Sequence, residues 1–169
     1  MIEELKRVGA IKFGDFVLSS GKRSNIYIDV KVAATKPEIL RKIADEMEKR
    51  IRNIEFDKIA CIELGGVPIA VALSLKTGKD LIIFRKQRKD YGIKDDRIGD
   101  LKEGEKVVVV EDVVTTGKSV KSVVERVEKL GGRVVAVLAV VDREESDLEV
   151  ISIAKLSEIL EKFGKTLPR

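Results

Sequence analysis

The sequence contains no histidine and no tryptophan, and it has one cysteine, Cys61, among 169 residues. Without histidine, an imidazole general base, a Ser-His-Asp triad and most catalytic zinc sites are excluded. Any chemistry must therefore depend on carboxylates, Lys, Arg, Tyr, hydroxyl groups or a bound ion. A single cysteine excludes a disulfide scaffold and a cysteine-rich metal site, and its place in the apolar stretch KIACIEL is typical of a small buried residue.

Long apolar runs are also missing. No stretch approaches the twenty apolar residues of a membrane span, and the opening MIEELKRVGA lacks the charged-then-apolar order of a secretory leader. These features predict a cytoplasmic protein with no membrane partner. The 33 basic and 29 acidic residues give a net charge of +4 and are mostly interspersed, as on a solvated surface, so the sequence does not favour a nucleic-acid partner.

Short apolar segments alternate with helical patterns along the chain. The apolar segments are KIACIEL, DLIIFR, KVVVVED and RVVAVLAVVD. This alternation, in a chain of one-domain length, predicts an α/β fold with a central parallel sheet flanked by helices. A helix is predicted over residues 36–52, where apolar residues form one stripe and TKPE is interpreted as a capping box, and another over residues 67–75. Residues 1–35 and about 146–169 are predicted to form smaller elements packed over the sheet.

The segment VVVVEDVVTTGKS, residues 107–119, carries the strongest functional pattern. Four valines predict a strand buried on both faces, and the spacing of apolar residues after Ser119 predicts a helix that Gly131 and Gly132 end. A loop between such a strand and helix places unpaired backbone N–H groups at the carboxyl edge of the sheet, where phosphate binds. Paired acids would repel phosphate but accept hydrogen bonds from sugar hydroxyls, so the segment predicts a ribose 5-phosphate site.

This segment resembles the phosphoribosyl pyrophosphate (PRPP) motif of the type I phosphoribosyltransferases, in which a strand and two acids precede a Thr/Gly-rich loop. Other stretches resemble the orotate phosphoribosyltransferases: FGDFVLSSGKRSNIYID at 13–29, ELGGVPIA at 63–70, FRKQRKDYG at 84–92 and DREE at 142–145. The resemblance implies one phosphoribosyltransferase domain over residues 1–169. Its core would be about 36–145, and its hood about 1–35 and 146–169.

The resemblance implies a reaction between PRPP and orotate that gives orotidine 5'-monophosphate and pyrophosphate with Mg²⁺ as cofactor. Lys86, Lys89 and Asp112 would be catalytic. Mg²⁺ would be held mainly by PRPP and water near Glu111 and Asp112, with no certain direct protein ligand. The residues implied to bind PRPP are Arg85, Lys86, Lys89, Tyr91, Gly65, Gly66, Glu111, Asp112, Val113, Val114, Thr115, Thr116, Gly117, Lys118 and Ser119.

The resemblance also implies an orotate subsite and a dimer. Thr115, Arg143, Tyr27 and Ile28 would contact orotate, with Arg143 on its carboxylate or a ring oxygen. Residues 84–92 would form a mobile catalytic loop, with Gly92 and Gly99 allowing its motion. Lys89 would reach into the active site of the partner subunit of a homodimer.

The sequence departs from the family pattern at three positions. Tyr91 stands where better-known bacterial enzymes have a loop histidine, and a phenol does not titrate near neutral pH as imidazole does. Ser19 and Gly65 occupy positions often held by lysine. Two alternatives stay open at this point: a PRPP-sensing regulatory protein of the same fold, and a phosphoribosyltransferase for a purine or uracil.

Overall fold

The computed structural model describes residues 1–86 and 96–167. The helices are α1 (Ile2–Arg7), α2 (Val30–Ala34), α3 (Pro37–Ile51), α4 (Gly66–Thr77), α5 (Lys118–Lys129) and α6 (Leu156–Lys162). The strands are β1 (Ile11–Val17), β2 (Arg23–Ile28), β3 (Lys58–Ile62), β4 (Asp80–Phe84), β5 (Arg97–Ile98), β6 (Lys106–Val114), β7 (Arg133–Asp142) and β8 (Ile151–Lys155).

A six-stranded sheet forms the centre of the molecule, with strand order β5-β4-β3-β6-β7-β8. The pairs β3–β4, β3–β6, β6–β7 and β7–β8 are parallel, whereas β5 lies antiparallel to β4. All five residues of β3 are buried, as are Val107 to Val110 of β6, because both faces of a parallel sheet are covered. The predicted α/β fold with a central parallel sheet is confirmed.

The helices cover the sheet through their apolar faces. Helix α3 buries Ile39, Ile43, Met47 and Ile51 against the core and packs beside α4, which confirms the predicted stripe. The predicted capping box is wrong. Thr35 ends α2 and its hydroxyl donates to the carbonyl oxygen of Val32 at 2.7 Å, while Lys36 is the N-cap of α3 without a side-chain capping bond.

The hairpin of β1 and β2 and the two terminal helices pack together beside the sheet. The rings of Phe13 and Phe163 meet edge to face with centroids 5.4 Å apart, and Lys162 pairs with Glu3 at 3.3 Å. The side-chain amide of Asn25 donates to the carbonyl oxygen of Thr166. These contacts are compatible with a hood built from both ends of the chain, although β8 belongs to the main sheet. No helix in the described residues is long and apolar enough to span a membrane.

Candidate active site

The loop between β6 and α5 lies at the carboxyl edge of the parallel sheet. Gly117 adopts a left-handed conformation with φ of 83°, and a Cβ there would lie 2.6 Å from Leu148 Cδ1, so glycine is required for this turn. Helix α5 begins at Lys118, and its first N–H groups border a cavity of about 120 Å³. The helix dipole and the hydroxyl groups of the loop favour an anion there. The cavity lining includes Val113, Val114, Thr115, Thr116, Gly117, Lys118 and Ser119.

The two acids of the motif occupy different surroundings. Glu111 is 7% exposed, and its Oε1 accepts a hydrogen bond from the backbone N–H of Asp112 at 3.2 Å. Burial, together with hydrogen bonding to the Asp112 side chain, raises the pKa of Glu111 to about 8. Asp112 is less buried and lines two further cavities, of about 270 Å³ and about 690 Å³. Burial therefore favours the protonated form of the Glu111 side chain in the ligand-free protein.

Gly65 and Gly66 allow α4 to approach this edge closely. A Cβ at Gly65 would lie 2.7 Å from Asp112 Oδ1 and closer still to the other carboxylate atoms, while one at Gly66 would lie 2.8 Å from the carbonyl oxygen of Val110. Glycine at both positions brings the start of α4 against β6. A cavity of about 270 Å³ is lined here by Gly65, Asp112 and Lys86, among others.

The predicted catalytic loop, residues 84–92, begins where β4 ends. The backbone N–H of Lys86 donates to Glu63 Oε2 at 3.3 Å, and Arg85 pairs with Glu63 Oε1 at 3.9 Å. Arg126 of α5 donates to the carbonyl oxygen of Arg85 at 2.7 Å and lies over the ring of Phe84. The Nε atom of Arg85 is buried and has no hydrogen-bond partner among the described residues. These contacts hold the start of the loop beside the cavity of about 270 Å³ that Lys86 lines.

The rest of the predicted catalytic loop lies outside the described residues. Lys89, Tyr91 and Gly92 belong to this part of the chain, residues 87–95. Gly99, the second predicted point of motion, is described with φ of 96°, and a Cβ there would lie 2.5 Å from the carbonyl oxygen of Leu81. Gly99 therefore packs against β4 and needs glycine for its own conformation.

A third cavity, of about 690 Å³, lies between the hairpin and the sheet. It brings together the four residues predicted to contact orotate: Tyr27 and Ile28 from β2, Thr115 from the loop, and Arg143 after β7. Arg143 is buried, and its Nε donates to Glu145 Oε1 at 3.3 Å. A planar anion could thus be enclosed by apolar groups and a guanidinium.

Lys31 is a cleft residue that the sequence did not indicate. Lys31 lies in α2 and lines both the cavity of about 270 Å³ and the cavity of about 690 Å³, which also share Asp112 and Val113. Its ammonium lies 2.8 Å from Asp29 Oδ1. Lys31 lies two residues beyond segment 13–29, which carried the family resemblance, so the resemblance did not include it. Its place in the cleft becomes visible only from the position of α2 in the structure.

Comparisons with known proteins agree on one family. A family model described as a phosphoribosyl transferase domain matches residues 33–165. A curated orotate phosphoribosyltransferase from Archaeoglobus fulgidus is 60% identical over 168 residues, covering 99% of this chain and 94% of the relative. The crystal structure of orotate phosphoribosyltransferase from Aeropyrum pernix is similar with a TM-score of 0.85 and 34% identity, covering 96% of this chain and 97% of that chain.

A ligand-bound structure is also similar. The crystal structure of Mycobacterium tuberculosis orotate phosphoribosyltransferase in complex with PRPP has a TM-score of 0.75 and 26% identity, covering 94% of this chain and 95% of that chain. The similarity includes both the sheet and the elements beside it, because nearly the whole chain is covered.

Proposed function

Because this chain belongs to the orotate phosphoribosyltransferases, we propose that it transfers the 5-phosphoribosyl group of PRPP to orotate. The products are orotidine 5'-monophosphate and pyrophosphate, and the reaction belongs to pyrimidine biosynthesis. One observation carries the proposal for the site. The β6–α5 loop and its acids adjoin a larger cavity in which Tyr27, Thr115 and Arg143 meet.

The 5-phosphate of PRPP is proposed to bind in the small cavity at the start of α5. Backbone N–H groups there can donate to phosphate oxygens, and the hydroxyls of Thr115, Thr116 and Ser119 can add further donors. No histidine is needed for this contact. These donors do not titrate near neutral pH, so the pH dependence of 5-phosphate binding should come from the phosphate and from Glu111, which also lines this cavity.

The ribose hydroxyls are proposed to donate to the two acids. As pyrophosphate departs, positive charge develops at C1 of the ribose, and a nitrogen of orotate attacks that carbon. Asp112 provides a negative charge next to the ribose, and Glu111 holds Asp112 through the hydrogen bond to its backbone N–H. No covalent enzyme nucleophile is required.

The departing pyrophosphate requires stabilisation of negative charge. Lys86 lines the cavity next to Asp112, and Gly65 presents backbone without a side chain. Arg85, whose guanidinium lies 3.9 Å from Glu63 Oε1, is proposed to add a further cation at the pyrophosphate. We propose that Lys89 of the partner subunit completes this set. Closing the site with these cations would exclude water and protect PRPP from hydrolysis.

The residues present fit a Mg²⁺ ion that is held mainly by substrate. Among the described residues, no three His, Cys, Asp or Glu side chains form a group able to hold a metal. The carboxyl groups of Glu111 and Asp112 border the cavity, and Mg²⁺ is commonly bound by one or two carboxylates together with substrate phosphates and water. A bound Mg²⁺ would favour the ionised form of Glu111. When bound, Mg²⁺ would neutralise charge on the pyrophosphate.

Orotate is proposed to bind in the cavity between the hairpin and the sheet. Arg143 would pair with its carboxylate or a ring oxygen, and Tyr27 and Ile28 would cover the ring. Thr115 lines both this cavity and the proposed 5-phosphate cavity, which supports binding of the base next to the ribose, where the attacking nitrogen and C1 could meet.

We further propose a homodimer with shared sites and a cytoplasmic location. Helix α4 exposes two apolar side chains, Val71 and Leu75, and Leu75 is 83% exposed. Burial of such a surface against a second copy would stabilise a dimer. The cytoplasmic location rests on composition, with the one cysteine, Cys61, buried and unpaired.

Loss of orotate absorbance tests the function when the protein is incubated with PRPP and Mg²⁺. Orotate should be consumed in proportion to pyrophosphate released, while uracil and adenine should not be converted. Conversion of another base in preference to orotate would assign a different transferase. Tight PRPP binding without turnover of any base would assign a regulatory protein instead.

A further inference from the structure

We propose that the Lys31 ammonium is a pyrophosphate-binding group of this site. It lies where the cavity of about 270 Å³, proposed for pyrophosphate, meets the cavity of about 690 Å³, proposed for orotate. The inference rests on the proposed function and adds a cation that the family resemblance did not indicate. Lys31, Asp112 and Val113 line both of these cavities. Lys31 therefore borders the region in which the bond to pyrophosphate breaks and the bond to orotate forms.

The charge of Lys31 is fixed by its neighbours. Its hydrogen bond to Asp29 raises its pKa, and the negative charges of Asp29 and Asp112 act in the same direction. The ammonium therefore stays charged near neutral pH. It has three N–H donors, and one hydrogen bond to Asp29 leaves donors for an anion in the cleft.

A purely structural role explains this side chain poorly. Asp29 already caps α2 by accepting from the backbone N–H of Lys31 at 3.1 Å, so the cap does not need the ammonium. The Lys31 side chain is 51% exposed, and an ion pair at such a position contributes little to stability. The ion pair instead orients the ammonium, because it restricts a long side chain to one region of the cleft.

Among the described residues, carboxyl groups outnumber ammonium groups in the lining of the cavity of about 270 Å³. Its described lining includes the carboxyl groups of Glu63, Glu111 and Asp112 but only two ammonium groups, Lys31 and Lys86. A polyanion bound there needs every available cation. Gly65 cannot be replaced by a lysine without displacing the Asp112 carboxylate, so Lys31 supplies a positive charge that position 65 cannot.

Calorimetric titration with inorganic pyrophosphate and Mg²⁺ tests this role directly, without turnover. In Lys31→Ala the Kd for pyrophosphate should rise about ten- to a hundredfold, as expected for loss of a charge-assisted hydrogen bond. The KM for PRPP should rise similarly, whereas the KM for orotate should stay near its wild-type value. Lys31→Arg should recover most of the affinity, and Lys31→Met, which keeps the apolar stem, should not.

Lys42→Ala is the matched control. Lys42 pairs with Glu4 at the same 2.8 Å, is 45% exposed, and lies on α3. The Lys42→Ala protein should bind pyrophosphate as the wild type does. Lys31→Ala and Lys42→Ala should have the same Tm. Unchanged pyrophosphate affinity in Lys31→Ala and Lys31→Met would overturn the inference, as would an effect on the KM for orotate alone. Failure of the wild type to consume orotate would instead contradict the proposed function.

Discussion

The carboxylate of Asp112 occupies the space in which a side chain at Gly65 would begin. A Cβ at position 65 would lie 2.7 Å from Asp112 Oδ1 and closer still to the rest of that carboxylate. This relationship joins the start of α4 to the acid pair of β6. The glycine is therefore required by a neighbouring functional group and not by its own backbone, whose φ is −59°.

Gly65→Ala should damage activity more than stability. The new methyl group meets the end of a side chain that can rotate, so the free energy of unfolding should fall by only about 1–3 kcal/mol. The displaced Asp112 should lower kcat/KM for PRPP about tenfold or more. Denaturant unfolding and steady-state kinetics measure the two effects. Gly132→Ala is the control, since a Cβ there would lie 2.6 Å from Leu101 Cδ2, at the amino end of β7 and away from the cleft. Full activity in Gly65→Ala would contradict a role for the present Asp112 position.

Asp112→Asn should weaken PRPP-dependent activity far more than the fold. The substitution keeps the size of the side chain but removes the charge next to the ribose, and charged hydrogen bonds of this kind contribute about 1.5–3 kcal/mol. We expect kcat/KM for PRPP to fall at least about tenfold, with a Tm close to that of the wild type. Near-normal turnover would show that the acid pair does not serve the reaction.

The stability of the ligand-free protein should carry a pH signature of Glu111. Its pKa is raised by burial from 4.5 to about 8, so between these values the folded state binds more protons than the unfolded chain. This group's contribution to the free energy of unfolding is therefore present at low pH and is lost as pH rises through that window. Glu111→Gln cannot ionise and should remove this part of the slope.

The comparison between wild type and Glu111→Gln isolates the effect from other acids. Near pH 4.5 the two proteins should unfold at similar denaturant concentrations, whereas above pH 8 the variant should be the more stable. Parallel curves across the whole range would mean that Glu111 titrates normally. Because Glu111 is proposed to bind ribose, the measurement uses protein without PRPP.

Mixed subunits should test whether each site is built from two chains. Lys89→Ala and Asp112→Asn subunits, each nearly inactive alone, should form about half heterodimers when mixed equally, and each heterodimer has one intact site. Activity should recover to about a quarter of wild type if the sites are independent. If sedimentation confirms a dimer that exchanges subunits and the mixture still regains no activity, Lys89 serves the site of its own subunit.

Much of the sheet could be predicted because its strands are buried on both faces. The continuous valines of β6 and the apolar run of β7 are typical of buried parallel strands. The spacing of Val120, Val123 and Val127 predicts the buried face of α5. The TKPE interpretation failed because Thr35 bonds backward to Val32 and so ends one helix before the next begins.

The local sequence pattern predicted the cleft only where its residues are adjacent in sequence, whereas Tyr27, Ile28 and Arg143 were indicated by the family resemblance. Residues 111–119 form one local unit, so their neighbourhood follows from a strand, a turn and a helix. Lys31 could not be found in this way, because its place depends on how the short helix α2 packs between the hairpin and the sheet. Glu63 was missed for the same reason: its contacts with Arg85 and Lys86 join the ends of two neighbouring strands.

The ring contact between Phe13 and Phe163 has a consequence for the order in which the site can form during synthesis. A ribosome releases the chain from its N-terminus, so the hairpin that carries Tyr27 emerges long before α6, against which it packs. The sheet edge with Asp112 can fold in the interval, while the orotate wall gains its full support only after Phe163 has left the exit tunnel. A nascent chain stopped before β8 should therefore bind PRPP but not yet bind orotate.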